Sequence, residues 1–406
     1  MKCALVMTGG IAKGAFQAGV VKSFAEQGIK PDVVMGASAG ALNAAMVTKL
    51  IVNNDFNPNS VEDGIIKAWT FETSLYQLWG KGDISKSESI RDIFGDIEKN
   101  PLMIIKRLSN LQMDIWQRLR TLLSMSFLSV FNNEGMKDII EKYIQTPGTI
   151  KDNIICAVSL TDLIAHTEYI KGQPINNYSE YVTFEFKKNQ DDNLDQRFKD
   201  LRNVSMASAC LPGMFSPVLL DLKSNGTKKL YVDGGITKNA PFGRAIKLDP
   251  QIEHIFIVTT STITKPIINE VKNFPDIVGQ VYEIVVTKDI ANDYRKVVQI
   301  NEKITLLSKI LERNKKNIIL DNEQNTNLCL LAGFKGVEDF LSKRCVKIHF
   351  IEPDKPLEGD PFAAIYRNDR RYLLEMYIQQ GHEAGTKALK KFISETKSPD
   401  KIHLPA

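Results

Sequence analysis

The order of hydrophobic and polar positions in the first fifty residues predicts two strand–helix units. Residues 4–7 and 31–35 are short apolar runs typical of buried strands, and each is followed by a turn of small residues. Residues 15–27 place apolar side chains at helical spacing, with Gly28 as the C-cap, and residues 39–52 form an alanine-rich helix. Two such units in succession indicate a parallel sheet with right-handed crossovers.

The pattern then changes twice. Residues 53–144 lack strand signals, which predicts a helical or irregular insertion over the sheet. Strands are predicted again at 153–159, 181–186, 229–232, 254–260 and 346–351. A mostly helical stretch at 267–342 lies between the last two of these strands, and a helical tail at 368–394 follows them.

Strand signals near both ends of the chain favour one α/β domain over two independent ones. We predict a single domain over residues 1–406, with a core at about 1–52 and 145–265. A helical cap at about 53–144 and a helical C-terminal extension at about 266–406 complete it.

Composition and charge narrow the class of protein. With 43% hydrophobic and 25% charged residues, the chain has the profile of a globular protein. Its 52 basic and 48 acidic residues give a net charge of +4, which is too small an excess for nucleic-acid binding by the whole chain. Five cysteines without a C-x-x-C spacing argue against a disulfide framework and a zinc site. No signal-peptide core or membrane-spanning stretch is visible, so we expect a soluble, cytoplasmic protein.

A G-x-S-x-G motif stands directly between the second predicted strand and its helix. Gly36 and Gly40 flank Ser38, and small residues at these positions allow the sharp turn that exposes a serine hydroxyl at the end of a sheet. The motif therefore indicates a nucleophilic serine. A glycine-rich helix start packed tightly on the sheet would give the same string.

Ser38 needs donors for an oxyanion and a base for its proton. Gly9, Gly10, Ile11, Lys13 and Gly14 follow the first strand and open the first helix, so their amides can converge on an anion. This loop fits neither a Walker A motif nor a dinucleotide-binding fingerprint, and an oxyanion hole is the economical interpretation.

The base is sought at the end of another strand. Asp233, followed by Gly234 and Gly235, ends the strand predicted at 229–232, and the ends of neighbouring strands gather at one site. Alone, an Asp-Gly-Gly sequence is usually only a turn.

The order of glycine loop, G-x-S-x-G and D-G-G resembles the patatin-like phospholipase family. Residues 207–217 also resemble a small-residue block of that family, and Asn239 and Pro241 follow the aspartate at its spacing. The resemblance covers about residues 1–260. It implies a three-layer α/β/α fold with a mainly parallel sheet and helical insertions. It also implies a lipid acyl hydrolase whose Ser38–Asp233 dyad works without histidine and whose glycine loop forms the oxyanion hole.

The glycine loop departs from the family at one position. Ile11 stands where a third glycine is usual, and because a β-branched residue tolerates positive φ poorly, we expect it in an ordinary backbone region. This leaves open which amides form the hole. Lys13 is either a solvated charge at the helix start or a residue that orients the loop or an anionic head group.

The implied mechanism requires an unusual aspartate. A carboxyl group with a pKa near 3.9 is a poor base in water, so we expect Asp233 to lie in a desolvated site that raises its pKa.

Two other functions remain open. A Ser-His-Asp esterase or acyltransferase of another fold would need a histidine, but His166, His254, His349, His382 and His403 all lie outside turn-rich motifs. A non-catalytic lipid- or nucleotide-binding regulator would use the glycine loop only to hold an anion.

Neither a metal nor a cofactor is predicted. The acidic run at 191–195 begins like a calcium loop but has Gln196 where glycine is required and Arg202 where the closing glutamate belongs. We expect calcium-independent hydrolysis.

The predicted cap contains the best candidate for membrane contact. Residues 99–131 hold five basic residues and one acidic residue, with leucines at helical spacing. This segment is either a cap helix packed on the sheet domain or a lid or peripheral bilayer-docking surface. A lipid or phospholipid substrate is the expected partner, nucleic acid is not, and the sequence does not indicate an oligomeric state.

Overall fold

The computed structural model describes residues 2–72, 129–222, 227–263, 274–317, 327–334, 340 and 344–397, except for single positions and the short gap at 360–362. The candidate membrane-contact segment at 99–131 lies outside these residues except for its last three, and His403 lies outside them too. Among the described residues, no helix is both long and apolar enough to span a bilayer.

Ten strands are present in the described part of the chain. They are β1 (Lys2–Met7), β2 (Val33–Gly36), β3 (Ser129–Phe131), β4 (Ile154–Ile170), β5 (Gln173–Phe186), β6 (Gly213–Phe215), β7 (Val218–Leu220), β8 (Lys229–Asp233), β9 (Ile252–Val258) and β10 (Lys347–Ile351).

The helices of the same residues surround these strands. They are α1 (Gly14–Glu26), α2 (Ala39–Val52), α3 (Pro58–Val61), α4 (Lys67–Glu72), α5 (Glu134–Tyr143), α6 (Leu194–Ser208), α7 (Phe242–Leu248), α8 (Phe274–Asn317), α9 (Ala363–Tyr366) and α10 (Arg370–Lys397). Short 3-10 turns occur at Ile11–Lys13 and Gly234–Ile236, and a π-helical turn at Glu62–Ile66.

The central sheet runs in the order β10-β9-β1-β2-β4-β8-β7, with β5 paired to β4. The pairings from β10 to β4 are parallel, whereas β5, β8 and β7 join in antiparallel pairs. The mainly parallel sheet predicted from sequence is therefore confirmed. β8 runs in the opposite direction to β1 and β2, and it ends with Asp233 opposite Leu160, two residues beyond Val158, which pairs with Gly36 at the end of β2. The segments that follow β2 and β8 therefore meet at the same level of the sheet.

Alternating side chains of the strands form two cores. Leu5 and Met7 face a large core shared with α1, α2, α6 and α10, whereas Ala4 and Val6 face a smaller core shared with α7 and α8. Two helical layers with a sheet between them give the predicted α/β/α architecture.

The contact between α1 and α10 is unusually close. A Cβ on Gly19 would lie 1.9 Å from the carbonyl oxygen of Ile378, and one on Gly381 would lie 1.8 Å from that of Phe16. Both positions must be glycine, because the two helix backbones touch there.

Several elements differ from the sequence predictions. The strands predicted at 153–159 and 181–186 extend into the long β4–β5 hairpin, where both faces are largely exposed and alternation gives no signal. β3 lies in the stretch predicted to lack strands, and β6 and β7 were not predicted; each has only three residues. The unpredicted α6 carries a readable signal, with Leu194, Phe198, Leu201 and Val204 buried at helical spacing.

Candidate active site

Ser38 occupies a strained turn between β2 and α2. Its backbone has φ 55° and ψ −129°, which a residue with a side chain adopts only when its surroundings impose it. A Cβ on Gly36 would lie 2.1 Å from the carbonyl oxygen of Gly40, and one on Gly40 would lie 2.2 Å from that of Met7. The flanking glycines thus permit the turn, which sets Ser38 at the positive end of the α2 dipole.

The Ser38 hydroxyl donates a 2.6 Å hydrogen bond to Oδ2 of Asp233. Asp233 ends β8, and its Oδ1 accepts the amide of Gly235 at 2.7 Å, within the turn that Gly234 begins. Ser38 is 3% exposed and Asp233 is fully buried. The structure thus joins these two residues, the serine–aspartate pair, away from solvent.

Burial raises the pKa of Asp233 from 3.8 to about 7, while hydrogen bonds from Ser38 and Gly235 act in the opposite direction. A carboxyl group with a pKa near 7 exists in both protonation states at neutral pH, so it can accept a proton and return it. The desolvated aspartate expected from sequence is present.

The glycine loop lies beside Ser38, and its amides are not equivalent. The Gly9 amide donates to Oδ1 of Asn239 at 2.6 Å and is therefore engaged. The amides of Gly10 and Ile11 donate to no acceptor among the described residues. These two amides are therefore available to receive an anion.

Ile11 corrects one sequence expectation, because its φ is 52° rather than that of an ordinary backbone region. This conformation costs a residue with a side chain about 1–2 kcal/mol. Its neighbours hold it there: the Lys13 amide donates to the Gly10 carbonyl at 2.9 Å, and a Cβ on Gly10 would lie 2.3 Å from Oγ1 of Thr260. The Ile11 side chain also packs on the large core. Tertiary contacts thus override the local preference.

Lys13 is only 6% exposed, so it is not the solvated charge at the helix start. It ends the 3-10 turn that leads into Gly14, the first residue of α1. A role in orienting the loop or an anionic head group is the alternative that agrees with its burial.

A buried polar network anchors the glycine loop, and sequence analysis missed it. The Trp69 indole donates to Asn43 at 2.8 Å, Asn43 donates to Gln17 at 2.9 Å, and Gln17 donates to the Thr8 carbonyl at 2.5 Å. The only signal in the sequence is the presence of polar residues at core positions of α1 and α2. The network fixes the loop relative to both helices.

Ser208, at the end of α6, holds the nucleophile turn. Its hydroxyl accepts the Ser38 amide at 2.9 Å and donates to the Ser159 carbonyl at 2.7 Å. Because the Ser38 amide is engaged, it is not an oxyanion donor in this arrangement. Sequence analysis placed Ser208 in the small-residue block at 207–217 without assigning it a role.

An apolar cavity of about 110 Å³ adjoins Ser38. Its walls come from the glycine loop, α2, α4, α5 and the segment after α6, and include Ile11, Leu42, Met46, Trp69, Ile140 and Met214. A cavity of this character suits a hydrocarbon chain.

Residues 5–246 match the family described as patatin-like phospholipase, and the match includes the glycine loop, the Ser38 turn and Asp233. The chain belongs to the patatin-like phospholipase family. Membership confirms the resemblance inferred from the motifs, and it supports lipid acyl hydrolase activity in general with lipids as the class of substrate.

Two solved structures are distantly similar to this patatin-like phospholipase. VipD from Legionella pneumophila is 14% identical, with 96% of this chain and 67% of VipD covered and a TM-score of 0.37. Human GIVD cytosolic phospholipase A2, in complex with methyl gamma-linolenyl fluorophosphonate, is 11% identical, with 64% of this chain and 40% of that chain covered and a TM-score of 0.24. No curated protein matches the sequence.

The histidines of this patatin-like phospholipase lie away from the nucleophile. His254 on β9 and His349 on β10 have ring nitrogens 3.0 Å apart, and burial lowers the pKa of His349 to about 4. His166 lies on β4 and His382 on α10. No hydrogen bond joins any of the four described histidines to the serine–aspartate pair.

Proposed function

We propose that this protein hydrolyses fatty acyl esters of lipids, including phospholipids, with Ser38 as nucleophile and Asp233 as general base. The observation that carries the proposal is the 2.6 Å hydrogen bond between the serine hydroxyl and a fully buried carboxyl group, beside an apolar cavity. A buried carboxylate whose pKa is about 7 is a competent base near neutral pH.

In the first half of the reaction, Ser38 Oγ attacks the ester carbonyl carbon while Asp233 accepts the hydroxyl proton. The carbonyl oxygen becomes an oxyanion. When the tetrahedral intermediate collapses, the bond to the leaving alcohol breaks, and Asp233 returns the proton to that alcohol. The product is an acyl ester of Ser38.

In the second half, water attacks the acyl carbon and Asp233 accepts a proton from it. The bond to Ser38 Oγ breaks, Asp233 returns the proton to that oxygen, and a fatty acid leaves. One carboxyl group performs both proton transfers because its pKa lies near the working pH.

We assign the amides of Gly10 and Ile11 to the oxyanion hole. Support comes from their lack of an acceptor among the described residues, from the engagement of the Gly9 amide by Asn239, and from the position of Ile11 on the cavity wall beside Ser38. Each such donor contributes about 10²–10³-fold to turnover. The dipoles of α1 and α2 add positive potential at the same place.

We further propose that the cavity receives the acyl chain and that the 99–131 segment makes peripheral contact with a membrane, bringing the site to its substrate. The helical cap, core and extension would act as one domain. A reducing, cytoplasmic compartment is supported by the five cysteines, all of them described and all free thiols.

The test is covalent labelling with an alkyl fluorophosphonate, followed by incubation with lipid extracts and mass spectrometry. We expect wild type to be labelled at Ser38 and to release fatty acids, and Ser38→Ala to do neither. Ser205→Ala is the matched control, since Ser205 is also buried on α6 and its hydroxyl has no hydrogen-bond partner among the described residues. Absence of labelling in folded wild type would favour the non-catalytic regulator instead.

A further inference from the structure

The Ile11 side chain forms part of the cavity that contains Ser38. It is half-buried, packs on the large core, and lines the cavity together with Leu42 and Met46 of α2. Residue 11 therefore carries two different groups beside the serine, a backbone amide without an acceptor among the described residues and a branched hydrocarbon on the cavity wall.

The backbone of residue 11 does not by itself require isoleucine. At φ 52° a glycine would be unstrained, whereas isoleucine is held there against its local preference. Strain of this kind persists when the surroundings impose it, and it is concentrated at functional sites. The side chain thus adds something to the cavity that a glycine would not.

Covalent geometry places this side chain near the start of the acyl chain. A hydrogen bond of about 2.9 Å from the residue 11 amide, and about 1.5 Å from that nitrogen to Cα, put Cα within roughly 4 Å of the oxyanion. The carbon atom next to the ester carbonyl is two bonds from that oxygen, so it lies within roughly 6 Å of the Ile11 Cα and within reach of the side chain. Because a β-branched side chain has few allowed χ1 rotamers, the Ile11 side chain cannot easily move aside for a bulky substrate.

We propose that Ile11 is a specificity-determining residue whose side chain selects acyl chains that are unbranched next to the carbonyl. This inference rests on the proposed function. A straight acyl chain passes the Ile11 side chain and enters the apolar cavity. A methyl branch on the carbon next to the ester carbonyl collides with the Ile11 side chain. The Ile11 amide donates a hydrogen bond to the oxyanion, and the Ile11 side chain discriminates between straight and branched acyl chains.

The experiment compares p-nitrophenyl heptanoate with its branched isomer, p-nitrophenyl α-methylhexanoate, and measures kcat and KM separately. Wild type, Ile11→Gly, Ile11→Ala and Ile11→Val are each tested, with Ser38→Ala as the blank. Ile11→Ala removes the wall but keeps a Cβ at positive φ, and Ile11→Val keeps the β-branch. The set therefore separates the side chain from the backbone strain.

We expect the ratio of straight-chain to branched kcat/KM to fall about tenfold or more in both Ile11→Gly and Ile11→Ala, and to stay within about threefold of wild type in Ile11→Val. A ratio that is unchanged in Ile11→Gly and Ile11→Ala, or that falls only in Ile11→Gly, would overturn the inference while leaving the proposed function intact. Equal activity of wild type and the Ser38→Ala blank would overturn the proposed function, and the inference with it.

Discussion

Replacing Asp233 by asparagine should greatly slow turnover and at the same time stabilise the fold at alkaline pH. Asparagine has the same shape, and its oxygen can still accept the Gly235 amide while its nitrogen donates to Ser38. It cannot accept a proton, so we expect kcat to fall by about 10²–10⁴-fold, the usual contribution of a general base. The folded state, by contrast, should become more stable, because it no longer contains a buried charge.

The size of the stability gain follows from the pKa of Asp233. Its rise from 3.8 to about 7 in the folded protein corresponds to about 4 kcal/mol between the two protonation states. Because the folded pKa is raised, the contribution of this group to stability is fully present below pH 4 and is lost as the pH rises through 7. We therefore expect Asp233→Asn to gain up to about 4 kcal/mol at pH 8 and less than half of that at pH 5.

Urea unfolding of both proteins at pH 5 and pH 8 measures this difference, since every other titrating group is common to the two. Asp63→Asn is the matched control: the Asp63 side chain is 70% exposed, and its substitution should change stability little at either pH. A gain that is equal at the two pH values, or a loss at pH 8, would refute the buried-charge argument.

The same pKa sets the pH profile of the wild-type enzyme. Asp233 must be ionised to accept the Ser38 proton, so kcat/KM should fall about tenfold per pH unit below pH 7 and level off above it. An acid limb centred near pH 4 would contradict the raised pKa of Asp233, whereas turnover retained by Asp233→Asn would remove the dyad and favour a histidine-based mechanism.

Two further substitutions test the support of the nucleophile. Ser208→Ala leaves the buried Ser38 amide without its acceptor, so we expect a loss of about 1–3 kcal/mol in urea unfolding and at least a tenfold fall in kcat with KM little changed; Ser205→Ala, on the same helix, should leave kcat within about twofold. Gly40→Ala places a methyl group 2.2 Å from the Met7 carbonyl oxygen and should cost about 1–3 kcal/mol or more, so wild-type stability would contradict the geometry of the turn.

The parts of the site that could be predicted from sequence are those with local chemistry. Ser38 lies between two glycines in a strand-to-helix turn, and α2 begins and ends where the pattern places it, because small residues and apolar spacing act over a few positions. Asp233 is recognisable only in combination with that motif, since a strand end followed by two glycines is common.

The parts that escaped prediction depend on distant residues. Local preference disfavours positive φ at Ile11, and the residue adopts it where Gly10 lies tightly against Thr260 and the Ile11 side chain packs on the core. Ser208 and Ser159 meet at the Ser38 turn from separate elements, and nothing in the spacing of two serines reveals the hydrogen bonds they make. Such roles arise only from tertiary contacts between residues that are far apart in the sequence.

The backbone contact between α1 and α10 ties the start of the active site to a segment that the ribosome makes much later. A nascent chain carries both Ser38 and Asp233 long before Gly381 is added, yet α1, which follows the glycine loop directly, still lacks the helix that packs on it. We expect growing chains to be inert towards the membranes around them, so that lipid breakdown begins only after α10 has been made and has packed on α1.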